Sequence, residues 1–266
     1  MAPEITSVDL ATGVTLEYVE QGDRSGVPVV LLHGFSDSWH SFELVLPHLP
    51  QSIRALALTQ RGHGNSSRPE AAYRFQDFAA DVAGFLNALH LERAVVVGHS
   101  MGSVIAQRFA IDHPERTLGL VLVGSFFSLR QVAQELQPVV STMEDPVDPG
   151  FVRAFQESTL ARPVPQALFE TVVQESQKLP ARVWKEVNAC SMQDEFSAEL
   201  SRIKAPTLLV WGDQDGMVPR SDQDALTAAI TDSRLVVYGG AGHALHWEEP
   251  KRFASDLMRF IESAVR

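Results

Sequence analysis

The chain has 266 residues, 45% of them hydrophobic, which suits one α/β domain with a sizeable core. With 33 acidic against 22 basic residues and a formal net charge of −11, it lacks the Lys and Arg excess of a phosphate-binding surface, so neither nucleic acid nor an anionic membrane is an expected partner. The single cysteine, Cys190, excludes an intramolecular disulfide. No run approaches the ~18 apolar residues of a membrane span, and the opening MAPEITSVDL has no basic or apolar leader region, so a soluble, cytoplasmic protein is expected. Cys190 has no basic neighbour to activate it and reads as a buried structural thiol.

Residues 5–20 alternate apolar and polar around Thr12 and Gly13, the pattern of an edge hairpin. Val27 to Leu32 is instead an almost unbroken apolar run, as in a strand covered on both faces, and it ends in His33-Gly34-Phe35. An amphipathic helix is predicted from Trp39 to Leu49, a short strand from Ile53 to Leu58, a loop at Arg61-Gly62-His63-Gly64-Asn65-Ser66, and a helix over 75–90. Ala94 to Val97 is the next strand and 103–112 the next helix, followed by a buried strand from Leu118 to Val123. Strand, helix, strand in succession predicts a parallel, doubly wound sheet.

The alternation then breaks. Between 125 and 203 there are helical stretches punctuated by prolines but no good parallel strand. This stretch is rich in apolar residues, among them Phe126, Phe127, Phe151, Phe155, Trp184 and Phe196, which a helical cap over the sheet's C-terminal edge would bury. Strands resume at Pro206 to Trp211 and Arg234 to Tyr238, and a last helix runs from about Glu249 to Val265. The expected division is a core of residues 1–124 and 204–266 with a cap of residues 125–203.

In open parallel sheets the ligand site lies at the carboxyl ends of the strands. One such end carries Gly98-His99-Ser100-Met101-Gly102, a Gly-x-Ser-x-Gly turn between strand and helix that lifts the serine hydroxyl outward as a nucleophile elbow. A serine hydroxyl is a weak nucleophile alone and needs a base and an orienting acid. His243, leaving the last strand through Gly239-Gly240-Ala241-Gly242, is the candidate base, with His246 its main competitor; His40, His48, His90 and His113 sit on or beside helices and carry no such role. Either Asp213 or Asp215 could be the acid, and Asp215, further out beside Gly216, is favoured. The backbone N–H groups of Phe35 and Met101 are the expected oxyanion donors. Phe126, Phe127 and Trp184 are the candidate substrate-pocket residues.

These motifs resemble the α/β-hydrolase superfamily over nearly the whole chain: His33-Gly34-Phe35, Arg61 to Ser66, the Ser100 elbow, Trp211-Gly212-Asp213-Gln214-Asp215 with Val218-Pro219, and Gly240 to His243 with Glu248-Glu249-Pro250. The resemblance implies an α/β-hydrolase fold, an eight-stranded, mostly parallel sheet with a helical cap inserted after strand 6, and a Ser100-His243-Asp215 triad. The second Asp of Gly-Asp-x-Asp is the catalytic one in that family. Thr59 stands where many relatives have Asp, a change expected to alter loop anchoring more than chemistry. A serine at the elbow separates the chain from dehalogenases and epoxide hydrolases, which use Asp there.

The expected function is a serine carboxylic ester hydrolase acting on small to medium apolar acyl esters, or lactones such as acyl-homoserine lactones, without cofactor or metal, as a monomer or homodimer. The alternatives within the superfamily are a C–C bond hydrolase, with Arg182 or Trp184 holding an enol, and a cofactor-free perhydrolase. A slow-turnover small-molecule receptor is the alternative of another class.

Overall fold

In the computed structural model, which describes residues 4–264, the hairpin strands β1 (Ile5–Asp9) and β2 (Thr15–Gln21) pair antiparallel at one edge of a single eight-stranded sheet. The others are β3 (Val27–Leu32), β4 (Ile53–Leu58), β5 (Ala94–His99), β6 (Thr117–Val123), β7 (Thr207–Gly212) and β8 (Ser233–Tyr238). Their spatial order is β1-β2-β4-β3-β5-β6-β7-β8, and every pair from β4 to β8 is parallel. The apolar runs follow from this placement. Val29 and Leu31 enter the core on one face while Val30 and Leu32 enter it on the other, so both faces of β3 need apolar side chains.

Helices α1 (Phe75–Ala88) and α2 (Met101–Asp112) cover the face that holds Val30 and Leu32. Between β6 and β7 the chain forms the cap helices α3 (Arg130–Val140), α4 (Pro149–Glu157), α5 (Gln166–Gln177) and α6 (Ala181–Gln193). The short α7 (Arg220–Ala229) precedes β8 and the single-turn α8 (Leu245–Glu248) follows it. The last helix, α9 (Pro250–Ala264), backs the opposite face through Phe253, Leu257 and Ile261. The predicted end of this helix at Val265 lies outside the described residues.

One predicted element differs. Residues 39–49 form two 3-10 turns, Trp39–Phe42 and Leu46–His48, rather than one amphipathic helix. Pro47 has no N–H to donate into a continuing α-helix, and Ser38 turns its hydroxyl back on the His40 N–H. The apolar spacing still serves its purpose, because Trp39, Phe42, Val45 and Leu46 are all buried.

Candidate active site

Ser100 stands between the last residue of β5 and the first of α2, with φ 53° and ψ −121°, a left-handed backbone that a non-glycine residue adopts only under constraint. The constraint is the packing on either side. A Cβ on Gly98 would lie 2.2 Å from the Gly102 carbonyl oxygen, and one on Gly102 2.3 Å from the Leu32 carbonyl oxygen, so only glycine lets α2 start this close to β3 and β5. The Met101 N–H therefore opens a helix and is one of its unpaired first-turn donors. In the loop after β3, the N–H of Phe35 makes no hydrogen bond among the described residues.

His243 and Asp215 meet after β8 and β7. The His243 Nδ1 lies 2.9 Å from Asp215 Oδ2, and both side chains are almost completely buried. The other carboxylate oxygen, Oδ1, accepts the N–H groups of Met217 at 2.8 Å and Val218 at 2.9 Å. An ionised carboxylate so held puts the hydrogen of the imidazole on Nδ1 and leaves Nε2 with its lone pair. That Nε2 is buried without a hydrogen-bond partner among the described residues. Asp213 does something different: its Oδ1 accepts the Gly240 N–H at 2.6 Å, so it ties the glycine-rich exit of β8 to β7, and that bond holds its carboxyl below the usual range. His246 makes no hydrogen bond to Asp215 among the described residues. Its Nε2 is 3.1 Å from the Ser41 hydroxyl, and burial pushes its pKa down to about 3.

The loop carrying Phe35 is held by buried polar groups. The His33 Nε2 accepts the Gln60 N–H at 2.9 Å, so its Nδ1 donates to the Gly34 carbonyl at 2.7 Å. Further along, Gln156 of α4 donates to Asp37 Oδ1 at 2.9 Å and to the Ser176 hydroxyl of α5 at 2.7 Å, and the Ser176 hydroxyl reaches the Ser36 carbonyl at 3.0 Å. Two cap helices thus grip the loop that presents the Phe35 N–H. Asp37 is 2% exposed, and burial raises its pKa from 3.8 to about 7 against the opposing bonds from Gln156 and Ser41. Thr59 anchors its own loop by accepting the Trp39 N–H at 3.2 Å and, through its carbonyl, the Ser66 hydroxyl at 2.6 Å.

Ser100 opens into a chamber of about 160 Å³ between α3, α6 and the core. Phe35, Met101 and Phe126 line it, together with residues the sequence did not single out: Leu129, Val132, Ala133 and Leu136 of the α3 segment, Val187, Asn188 and Ser191 of α6, and Phe155, Ser158 and Met217. Two expected pocket residues do not line the chamber itself. Phe127 lines only the adjoining outer cleft, which shares Phe126, Val132 and Met217 with the chamber. Trp184 is fully buried behind the wall, its ring centroid 4.6 Å from that of Phe35 and 5.4 Å from that of Phe155. Arg182 is also remote, donating to the carbonyls of Arg68 and Pro69. Among the described residues no three His, Cys, Asp or Glu side chains converge as metal ligands, and no helix is long and apolar enough to cross a membrane.

An elbow serine and a buried imidazole–carboxylate pair at the carboxyl ends of parallel strands, under a helical cap, define an α/β-hydrolase site. Residues 27–250 match the family model of the α/β-hydrolase fold. The chain belongs to this family and is an α/β-hydrolase enzyme. It is 31% identical to the 2-hydroxymuconate semialdehyde hydrolase of Pseudomonas sp. strain CF600, over 99% of this chain and 96% of that one. The solved esterase RhEst1 of Rhodococcus sp. ECU1013 superposes with a TM-score of 0.83 at 28% identity, covering 99% of this chain and all of that one. Est816, described as an N-acyl homoserine lactone degrading enzyme, gives 0.82 at 28% identity, covering 96% and 100%.

Proposed function

We propose that the protein is a serine carboxylic ester hydrolase acting on small to medium apolar acyl esters, lactones included. The reading rests on one observation above the others: the Asp215–His243 pair, buried and anchored at three points, leaves the imidazole Nε2 unpartnered, with the ring 5.9 Å from that of Phe126, which lines the same chamber as Ser100. Nε2 takes the hydroxyl proton as Ser100 Oγ bonds to the ester carbonyl carbon, and Asp215 stabilises the imidazolium that forms. The N–H groups of Phe35 and Met101 stabilise the negative oxygen of the tetrahedral intermediate. The carbon–oxygen bond to the alcohol then breaks and His243 returns the proton to the departing oxygen. Water, activated by the same imidazole, releases the acid and frees Ser100.

The esterase RhEst1 and the lactone-degrading Est816 are similar over nearly their full lengths and support both forms of the substrate. Cleavage of a carbon–carbon bond would need polar groups to hold an enol, and the two side chains considered for that, Arg182 and Trp184, lie away from Ser100. The test is turnover of a series of p-nitrophenyl esters and simple lactones by the wild type and by Ser100→Ala. Many turnovers per molecule with the wild type, and a loss of at least about 10³-fold in the variant, are expected. Activity that survives Ser100→Ala, or its absence on every ester and lactone, would overturn the proposal; a single turnover per molecule would favour a receptor.

A further inference from the structure

The chamber has two ends of different character, and the chemistry of the triad decides which arm of an ester enters each. The imidazole that accepts the serine proton must hand it to the departing alcohol, so the alcohol arm lies on the His243 side of the carbonyl carbon. Two chamber residues stand on that side. The Phe126 ring centroid is 5.9 Å from that of His243, and the Met217 N–H donates to Asp215 Oδ1. The same two, with Val132, are the residues the chamber shares with a second, outer cleft of about 350 Å³. This cleft is the polar end of the site, carrying the exposed side chains of Arg130, Gln131, Gln134 and Glu135.

The inner end is mainly apolar and offers no free hydrogen-bond donor. Its two buried polar side chains direct their hydrogens into the protein: Asn188 to the Ala133 carbonyl and the Gln137 side chain, and Ser191 to the Val187 carbonyl. Acceptor atoms on an acyl group would therefore stay unpaired there, at a cost of about 1–3 kcal/mol each. The volume sets the size. An apolar cavity of about 150 Å³ admits a benzene ring, and the chamber is about 160 Å³.

We infer that the natural substrate is an ester whose acyl group is one aryl ring or a branched alkyl group of that size, and whose alcohol is larger, polar and held in the outer cleft. This rests on the ester hydrolase reading. Two isomers separate the arms at equal composition: 1-O-phenylacetylglycerol, with the ring on the acyl side, and benzyl 3,4-dihydroxybutanoate, with the ring on the alcohol side. The first is expected to show at least tenfold higher kcat/KM. Ala133→Phe, which extends a side chain into the inner end, should lower the ratio of phenylacetylglycerol to acetylglycerol turnover at least tenfold. Equal or reversed preference between the isomers overturns the inference whether or not the variant folds. A folded Ala133→Phe that slows both glycerol esters alike also overturns it. Failure to hydrolyse even p-nitrophenyl acetate defeats the ester reading itself and is thereby distinguished.

Discussion

Replacing Asp37 with asparagine should make the protein more stable above neutral pH, although it removes a hydrogen-bonded carboxylate. Asp37 holds its proton to about pH 7 in the folded protein and gives it up near 3.8 when the chain is unfolded. Between these pH values the folded state binds more protons, so raising the pH destabilises it. At about 1.36 kcal/mol per pH unit, the whole interval of roughly three units amounts to about 4 kcal/mol, and the part between pH 5 and 7 to nearly 3 kcal/mol. Asparagine has the same shape, can accept from Gln156 Nε2 through its own oxygen, and carries no charge at any pH. Urea unfolding of wild type and Asp37→Asn at pH 5 and pH 8 measures the difference directly. The variant should gain about 3 kcal/mol relative to wild type across that range, or roughly 6–10 °C in melting temperature for a chain of this size. A gap of the same size at both pH values would refute the reasoning, because Asp37 would then not be titrating in the folded state.

Three further outcomes follow from the same physics. Asp215→Asn removes the charge that fixes and stabilises the His243 ring and should lower kcat by about 10⁴-fold in a p-nitrophenyl ester assay, whereas Asp213→Asn, which affects only the turn at Gly240, should cost less than tenfold. His63 is fully buried and burial lowers its pKa from 6.5 to about 4, so below pH 6.5 the unfolded chain binds the extra proton and stability falls as the pH drops. His63→Phe should therefore lose about 3 kcal/mol less than wild type between pH 7 and pH 4, read by urea unfolding. Burial raises the Cys190 thiol to about 11, and its alkylation by iodoacetamide at pH 8 should run about 100-fold slower than that of a free cysteine.

The elements that carry the site were legible because their signals are local. A strand covered on both faces is apolar throughout, and a turn as tight as that at Ser100 excludes side chains beside it, so both Val27–Leu32 and the Gly98–Gly102 motif announce themselves in sequence. Asp215 and His243 were found from their positions just after strands. The chamber was less legible. Val132, Ala133 and Val187 read as ordinary faces of amphipathic helices, and what makes them a wall is the packing of α3 against α6, which no spacing within either helix encodes. Trp184 drew attention as a large aromatic in the cap and proved to support Phe35 from behind. Gln156 and Ser176 carried no signal, since their partners Asp37 and Ser36 are 119 and 140 residues away. Asp37 stood in plain view after His33-Gly34-Phe35, and a carboxylate so close to an expected oxyanion donor was the available clue.

The central claim is that Ser100 forms a covalent acyl intermediate with the help of His243. The most direct measurement is mass spectrometry of the protein after treatment with a fluorophosphonate, followed by peptide mapping. The account predicts a single adduct on Ser100, absent in Ser100→Ala and formed at least 100-fold more slowly in His243→Ala. A wild-type protein that stays unmodified, or an adduct on a residue other than Ser100, would contradict it.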